Sequence, residues 1–266
     1  MARRKVGLAL SGGGARGFSH IGVLKVLAEN DIPIDFVAGT SAGSFVGGAL
    51  ASGLSADQIF KIGQKVSWFN MTGLSYSPRA LLSNAAMGNF IKQHLPVNRF
   101  EDLAIPFAAI ACDLNTGEEI VLKDKGDLAF AIRSSCAVPG VFTPLEDENG
   151  RTLIDGGVIA PVPVSVVREM GADVVIAVDL LACGATFRGS PRTALGMLFQ
   201  SAMMLLRAAS KNQHYHADIV IEPQIAHLRP DEIRKREEFL ALGEKAAREK
   251  INEIKALINS NASNVG

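Results

Sequence analysis

The chain has no excess charge: its 266 residues carry 27 Lys and Arg against 27 Asp and Glu. No global field therefore draws it to nucleic acid or to an anionic membrane. Cysteines are few, and Cys112, Cys136 and Cys183 each sit in an apolar run without C-x-x-C spacing. That excludes a disulfide framework or a zinc-ribbon pattern and fits a reducing cytoplasm. Long hydrophobic runs are missing too. The stretch after Arg3-Arg4-Lys5 lasts only from Val6 to Leu10, too short for the core of a signal peptide. The run from Ala194 to Leu206 is broken by Gln200 and Ser201, short of the ~20 apolar residues that cross a bilayer. With no Pro/Ser-rich linker and no internal repeat, a single domain over 1–258 is expected, followed by a flexible polar tail at 259–266.

Glycine is what the chain has in quantity, 26 residues of it, and they cluster. Val6–Leu10 reads as a short buried strand, and Phe18–Asn30 has a helical apolar period through Ile21, Leu24 and Leu27. A second strand at Ile34–Ala38 runs into Gly39-Thr40-Ser41-Ala42-Gly43 and a small-residue helix from Ser44 to Ala51. Between Ser55 and Pro96 the pattern loosens, and Trp68 to Tyr76 forms a candidate lid. A hairpin around Asn115-Thr116-Gly117, a helix capped by Asp127, apolar strands at Val174–Val178 and Ile219–Ile221, and a charged helix capped by Asp231 complete the pattern. Strands alternating with helices argue an α/β fold, a three-layer α/β/α sandwich around a mostly parallel sheet. Ligands in such sheets bind beyond the carboxyl ends of the strands.

The glycine clusters lie at those ends. Gly39-Thr40-Ser41-Ala42-Gly43 matches G-x-S-x-G between a strand and a helix, where small residues let the two backbones close on a serine held in a sharp turn. An ordinary turn with Ser41 as helix cap explains the pentapeptide equally well, and only the flanking elements favour a nucleophile. Gly12-Gly13-Gly14-Ala15-Arg16-Gly17 matches G-x-G-x-x-G. It fits either a dinucleotide loop with Asp35 on the ribose, or an oxyanion cradle with Arg16 adding positive charge for an oxyanion or lipid phosphate. The serine turn favours the cradle, because the dinucleotide motif has no use for it. Asp155-Gly156-Gly157 adds a carboxylate with close backbone approach, although that tripeptide alone is usually a plain turn. His214, His216 and His227 follow Asp155, so a Ser, Asp, His order is formally open; His20 and His94 read as structural.

These motifs, with Ser134-Ser135-Cys136-Ala137-Val138-Pro139-Gly140-Val141-Phe142 between the second and the last, resemble the patatin-like phospholipase family, including its small bacterial members and the catalytic domain of neuropathy target esterase. The likeness runs from Val6 to about Leu180; the rest of the chain matches nothing transferable. It implies a Ser/Asp dyad without histidine, with Ser41 as nucleophile, Asp155 as base, and Gly13 and Gly14 with Arg16 as the oxyanion site. The expected activity is hydrolysis of lipid or lysolipid esters, without cofactor or metal. Aspartate near its ordinary pKa of about 3.9 is a weak base for a hydroxyl, so burial would have to raise it. An NAD(P)-binding oxidoreductase and a catalytically idle regulatory member are the rival readings. An apolar trench could draw on Trp68, Phe69, Met71, Leu74 and Tyr76, or those side chains pack as plain core. Met197, Leu198, Met203, Met204 and Leu205 suggest an adaptable apolar surface, a buried helix or a homo-oligomer face, with Arg207 and Lys211 beside them. Any membrane contact, peripheral and at the inner face, would be local and weakly salt-dependent.

Overall fold

The computed structural model describes residues 3–75, 79–184, 191 and 193–260. The first half of the chain runs β1 (Val6–Leu10), α1 (Phe18–Glu29), β2 (Phe36–Thr40), α2 (Ala42–Ala51), α3 (Ala56–Gln64), α4 (Trp68–Met71), β3 (Gly73–Leu74), β4 (Ala80–Ser83) and α5 (Ala85–His94). There follow β5 (Phe107–Asp113), β6 (Glu119–Lys123), α6 (Leu128–Ser135), β7 (Gly140–Phe142), β8 (Leu145–Glu146) and β9 (Thr152–Asp155). The chain continues through α7 (Val164–Glu169), β10 (Val174–Val178), α8 (Ala194–Gln213), β11 (Ile219–Ile221) and α9 (Arg236–Asn259). Tyr76, at the end of the candidate lid, and residues 261–266 of the expected tail lie outside the described residues.

The central sheet has the order β11-β10-β1-β2-β5-β9-β8, with β6 also paired to β5. The strands from β11 to β5 are mutually parallel, while β9, β8 and β6 run antiparallel to their neighbours. Period-2 alternation divides its residues between two cores. Leu8, Leu10, Val37, Phe107, Ile176 and Val178 face one layer, built around α1, α2 and α9. Ala9, Ala38, Ala108 and Ala177 face the layer of α7. The second face is therefore thin, and α7 sits close: a Cβ on Gly7 would overlap Val167. The two layers and the sheet make the three-layer α/β/α sandwich that the strand and helix pattern implies.

Two boundaries differ from the sequence expectation for local reasons. The second strand is Phe36–Thr40 instead of Ile34–Ala38, because Asp35 is tied to Val6 at the sheet entrance and Gly39 and Thr40 continue the ladder with Ala109 and Ile110. Asp231 does not cap the last helix. It pairs with Arg229 at 2.6 Å, and α9 begins only at Arg236. Ile254 is fully buried on α9, with Ile251 and Ile258 partly buried beside it.

Candidate active site

The serine turn is tighter than its five-residue motif. Thr40 is still strand and Ala42 already helix, so the whole reversal falls on Ser41, at φ 53° and ψ −121°. A non-glycine residue there is strained, a cost of order 1–3 kcal/mol that surrounding structure must hold. Its neighbours show how. A Cβ on Gly39 would collide with the Gly43 carbonyl, and one on Gly43 with the Leu10 carbonyl. Only glycine at both positions lets β2, α2 and β1 meet this closely. Thr40 Oγ1 donates to the Ala160 carbonyl at 2.7 Å, and the Ser41 N–H donates to Ser135 Oγ at 2.8 Å. Ser41 thus caps the positive end of the ten-residue α2.

Asp155 ends β9, next to β5 through its pairing with Ala111. It is 6% exposed, and among the described residues no cation stands beside it. Burial pushes its carboxyl up to about 6, against the opposing hydrogen bonds of the Ser41 side chain and the Gly157 N–H, the latter at 2.7 Å. Gly156 is packed so closely on β5 that a Cβ would strike the Ile110 carbonyl. The Ser134–Phe142 segment straps the two elements together: Ser135 holds the Ser41 N–H, and the Ala137 carbonyl accepts the Asp155 N–H at 2.9 Å. Cys136 lies 3.8 Å from Ser44 Oγ, and burial pushes its thiol up to about 12, so it stays protonated at neutral pH.

The glycine loop lies against this pair. A Cβ on Gly12 would stand 3.4 Å from Ser41 Cβ, and one on Gly17 3.0 Å from Ala42 Cβ. The loop is pinned by the Gly12 N–H on the Pro161 carbonyl (3.1 Å) and the Ala15 N–H on the Pro230 carbonyl (2.7 Å). Among the described residues, the N–H groups of Gly13 and Gly14 have no such partner, and both residues line the cavity that contains Ser41. Arg16 departs from expectation. Its side chain is 1% exposed and turned inward, donating to the carbonyls of Leu228, Leu180 and Gly184 at 2.8 to 3.2 Å. It braces the loop and is not among the residues that line the cavity.

The rival residues go elsewhere. Asp35 lies at the amino end of β2, bidentate to Arg3, at the opposite edge of the sheet from the glycine loop, so it cannot hold a ribose there. His214 Nε2 is 2.7 Å from Asp179, not Asp155. His227 faces Glu238, His94 stacks on Phe90, and His20 is buried against the Ser11 carbonyl. Asp113 is spent on the hairpin turn, accepting from Asn115 and Thr116. Over Ser41 and Asp155 opens a cavity of about 790 Å³. Phe18, Ile21, Val46, Ile59 and Met87 line it on the core side, and Val158, Met203 and Leu206 line the other. Of the expected trench residues, Met71 lines it while Phe69 is 95% exposed. No motif announced Ile59, Met87 or the Pro230 latch, since they reach the cavity only through the packing of α3, α5 and the segment before α9.

The model of the patatin-like phospholipase family matches residues 8–168 of this chain, more than half of it. The chain belongs to that family. Among its relatives is a patatin-like phospholipase domain-containing protein of Caenorhabditis elegans, 38% identical over 184 residues, 66% of this chain and 13% of that protein. Lysophospholipase NTE1 of Yarrowia lipolytica is 35% identical over 186 residues, covering 68% and 13%. An NTE family protein of Mycobacterium bovis is 36% identical over 179 residues, covering 66% and 49%. The chain thus spans half or less of the length of these curated relatives. VipD of Legionella pneumophila superposes with a TM-score of 0.63 at 14% identity, over 95% of this chain and 67% of VipD, which shows a patatin fold in common.

Proposed function

We propose that this patatin-like protein is a serine acyl hydrolase that cleaves carboxylic ester bonds of phospholipids or lysophospholipids. One observation carries the reading: a serine held at φ 53° shares an apolar cavity with a carboxylate that burial raises to about 6. Ser41 Oγ attacks the ester carbonyl and passes its proton to Asp155. The N–H groups of Gly13 and Gly14 receive the charge that develops on the carbonyl oxygen, a contribution of order 10²–10³ in rate per donor. Collapse expels the alcohol, which takes the proton back from Asp155. Water then attacks the acyl-enzyme, again giving a proton to Asp155, and breakdown returns that proton to Ser41 and frees the fatty acid. A carboxyl near 6 is ionised at neutral pH yet basic enough to accept a proton in the transition state. The apolar walls suit an acyl chain and exclude competing water. The family and the lysophospholipase among its relatives support this substrate class.

A fluorophosphonate probe tests the nucleophile directly. It should label wild-type protein and leave folded Ser41→Ala unlabelled. A folded wild type that refuses the probe would sink the hydrolase reading.

A further inference from the structure

The apolar side chains that the fold leaves uncovered are concentrated. Among the described residues, and apart from Leu114 and Tyr215, the large exposed hydrophobic residues lie on segments that wall the cavity or adjoin its wall. Val158, 53% exposed, also lines the cavity and so stands at its mouth, with Ile159 next to it. Phe69 lies on α4, whose Met71 lines the cavity. Leu74 and Leu81 project from the small sheet β3-β4-β7, and β7 supplies Val141 and Phe142 to the wall.

Helix α8 makes the pattern specific. Gly196, Gln200, Met203 and Leu206 recur at helical spacing and line the cavity. The opposite side should then be polar, as it is on α9, where Glu, Lys and Arg recur along the helix. Instead α8 turns Met197, Leu198, Met204 and Leu205 outward, at 56–71% exposure. The helix is apolar on both sides, and a helix of that kind is normally covered. Its sequence contains no Asp or Glu, and its only charged residues are Arg207 and Lys211, in its second half.

We infer that this collar, with the outer face of α8 at its centre, is a docking face for a lipid bilayer surface. Flexible Leu and Met side chains suit a fluid interface that offers no fixed partner groups. The absence of carboxylates on α8 removes repulsion from lipid phosphates, and the exposed Lys211 complements them, whereas Arg207 is engaged within the protein, its Nε donating to the Ala182 carbonyl at 3.0 Å. The choice of lipid over a second copy or a partner protein rests on the proposed hydrolase reading: a protein seated on the collar would close the mouth through which a lipid ester must enter.

The test uses vesicles of zwitterionic phosphatidylcholine and separates docking from catalysis. Ser41→Ala protein should co-sediment with them, with little loss at high salt. Adding Leu198→Glu and Leu205→Glu, both at exposed positions outside the cavity lining, should lower the bound fraction on the order of tenfold or more. Met197→Gln with Met204→Gln provides a milder second variant. With Ser41 intact, Leu198→Glu/Leu205→Glu should hydrolyse a short soluble ester at the parent rate, which also reports correct folding, while vesicle hydrolysis falls in step with binding. Undiminished vesicle binding by both variants overturns the proposal, as does binding that requires anionic lipid and disappears in salt. A dimer in light scattering that both variants dissolve gives the face to a second copy and overturns it as well. If neither parent nor variant cleaves the soluble ester while vesicle binding responds as expected, the hydrolase reading fails and the docking face stands.

Discussion

The two edges of the parallel sheet treat their carboxylates in opposite ways. At the amino edge Asp35, Asp173 and Asp218 each precede a strand by one residue and accept the N–H of a residue entering the neighbouring strand, Val6, Lys5 and Val175, all at 2.7 Å. Asp35 is paired with Arg3, and Asp218 with Arg168. The Arg3 hydrogen bond, with the Val6 N–H, holds the Asp35 carboxyl below its ordinary value. At the carboxyl edge, among the described residues, Asp155 has no cation and is pushed up by burial, Ser41 is strained, and two loop N–H groups lack backbone partners. The amino edge lowers the energy of the fold. The carboxyl edge holds energetically costly groups in place, as the proposed reactive site would require.

Replacing the proposed base should show both halves of that contrast at once. Asp155→Asn should lower kcat/KM on a soluble ester by about 10²–10⁴-fold while making the protein more stable at neutral pH. The raised carboxyl favours the protonated folded state, so ionisation costs stability as pH rises from the ordinary 3.8 through about 6. Removing the charge should therefore recover up to about 3 kcal/mol above pH 6 and progressively less towards acid. Thermal melts at pH 4.5 and 8 check the sign, and an equal gain at both would contradict the burial account.

A smaller effect is expected in the pH profile. If ionised Asp155 is the base, kcat/KM for an uncharged ester should rise tenfold per pH unit below about 6 and level off above it. The inflection should survive His214→Ala. Its disappearance in that variant would move the base to the His214–Asp179 pair.

The amino edge should give the smallest response, and the opposite one. Asp35→Asn should cost about 1 kcal/mol at pH 7, discounted for the solvent that reaches its Arg3 partner, with esterase activity unchanged. Because the Asp35 carboxyl is held low, its contribution is present above the ordinary carboxylate value and fades as pH falls through the folded one. Wild type and variant should therefore converge in acid. A loss of activity without a loss of stability would end the separation of the two edges.

The order of strands, helices and glycine clusters was legible because each depends on neighbours a few residues away. Val6–Leu10 and Val174–Val178 are short unbroken apolar runs, and Leu128–Ser135 follows directly on its cap at Asp127. The motifs also announced Ser41 and Asp155, since a strained turn and a close backbone approach both demand glycine at set positions. The direction of the Arg16 side chain was not legible, for the complementary reason. Its three acceptors lie at Leu180, Gly184 and Leu228, and no local rule states where a guanidinium will find carbonyls more than 160 residues away. Asp35 shows the same limit: its distance from the glycine loop along the chain suits a ribose, the reading set aside above, and only the fold shows that a strand's length separates the two edges.

By itself, then, the sequence determined the layered α/β plan, the two backbone turns that require glycine, and a net charge of zero. Tertiary structure alone decided that Asp155 lies buried, that Ser135 and Ala137 strap it to Ser41, and that α8 is apolar on both sides of a cavity wall. Burial, carboxyl basicity and exposed area are sums over atoms from distant parts of the chain, so they exist only once those parts have met.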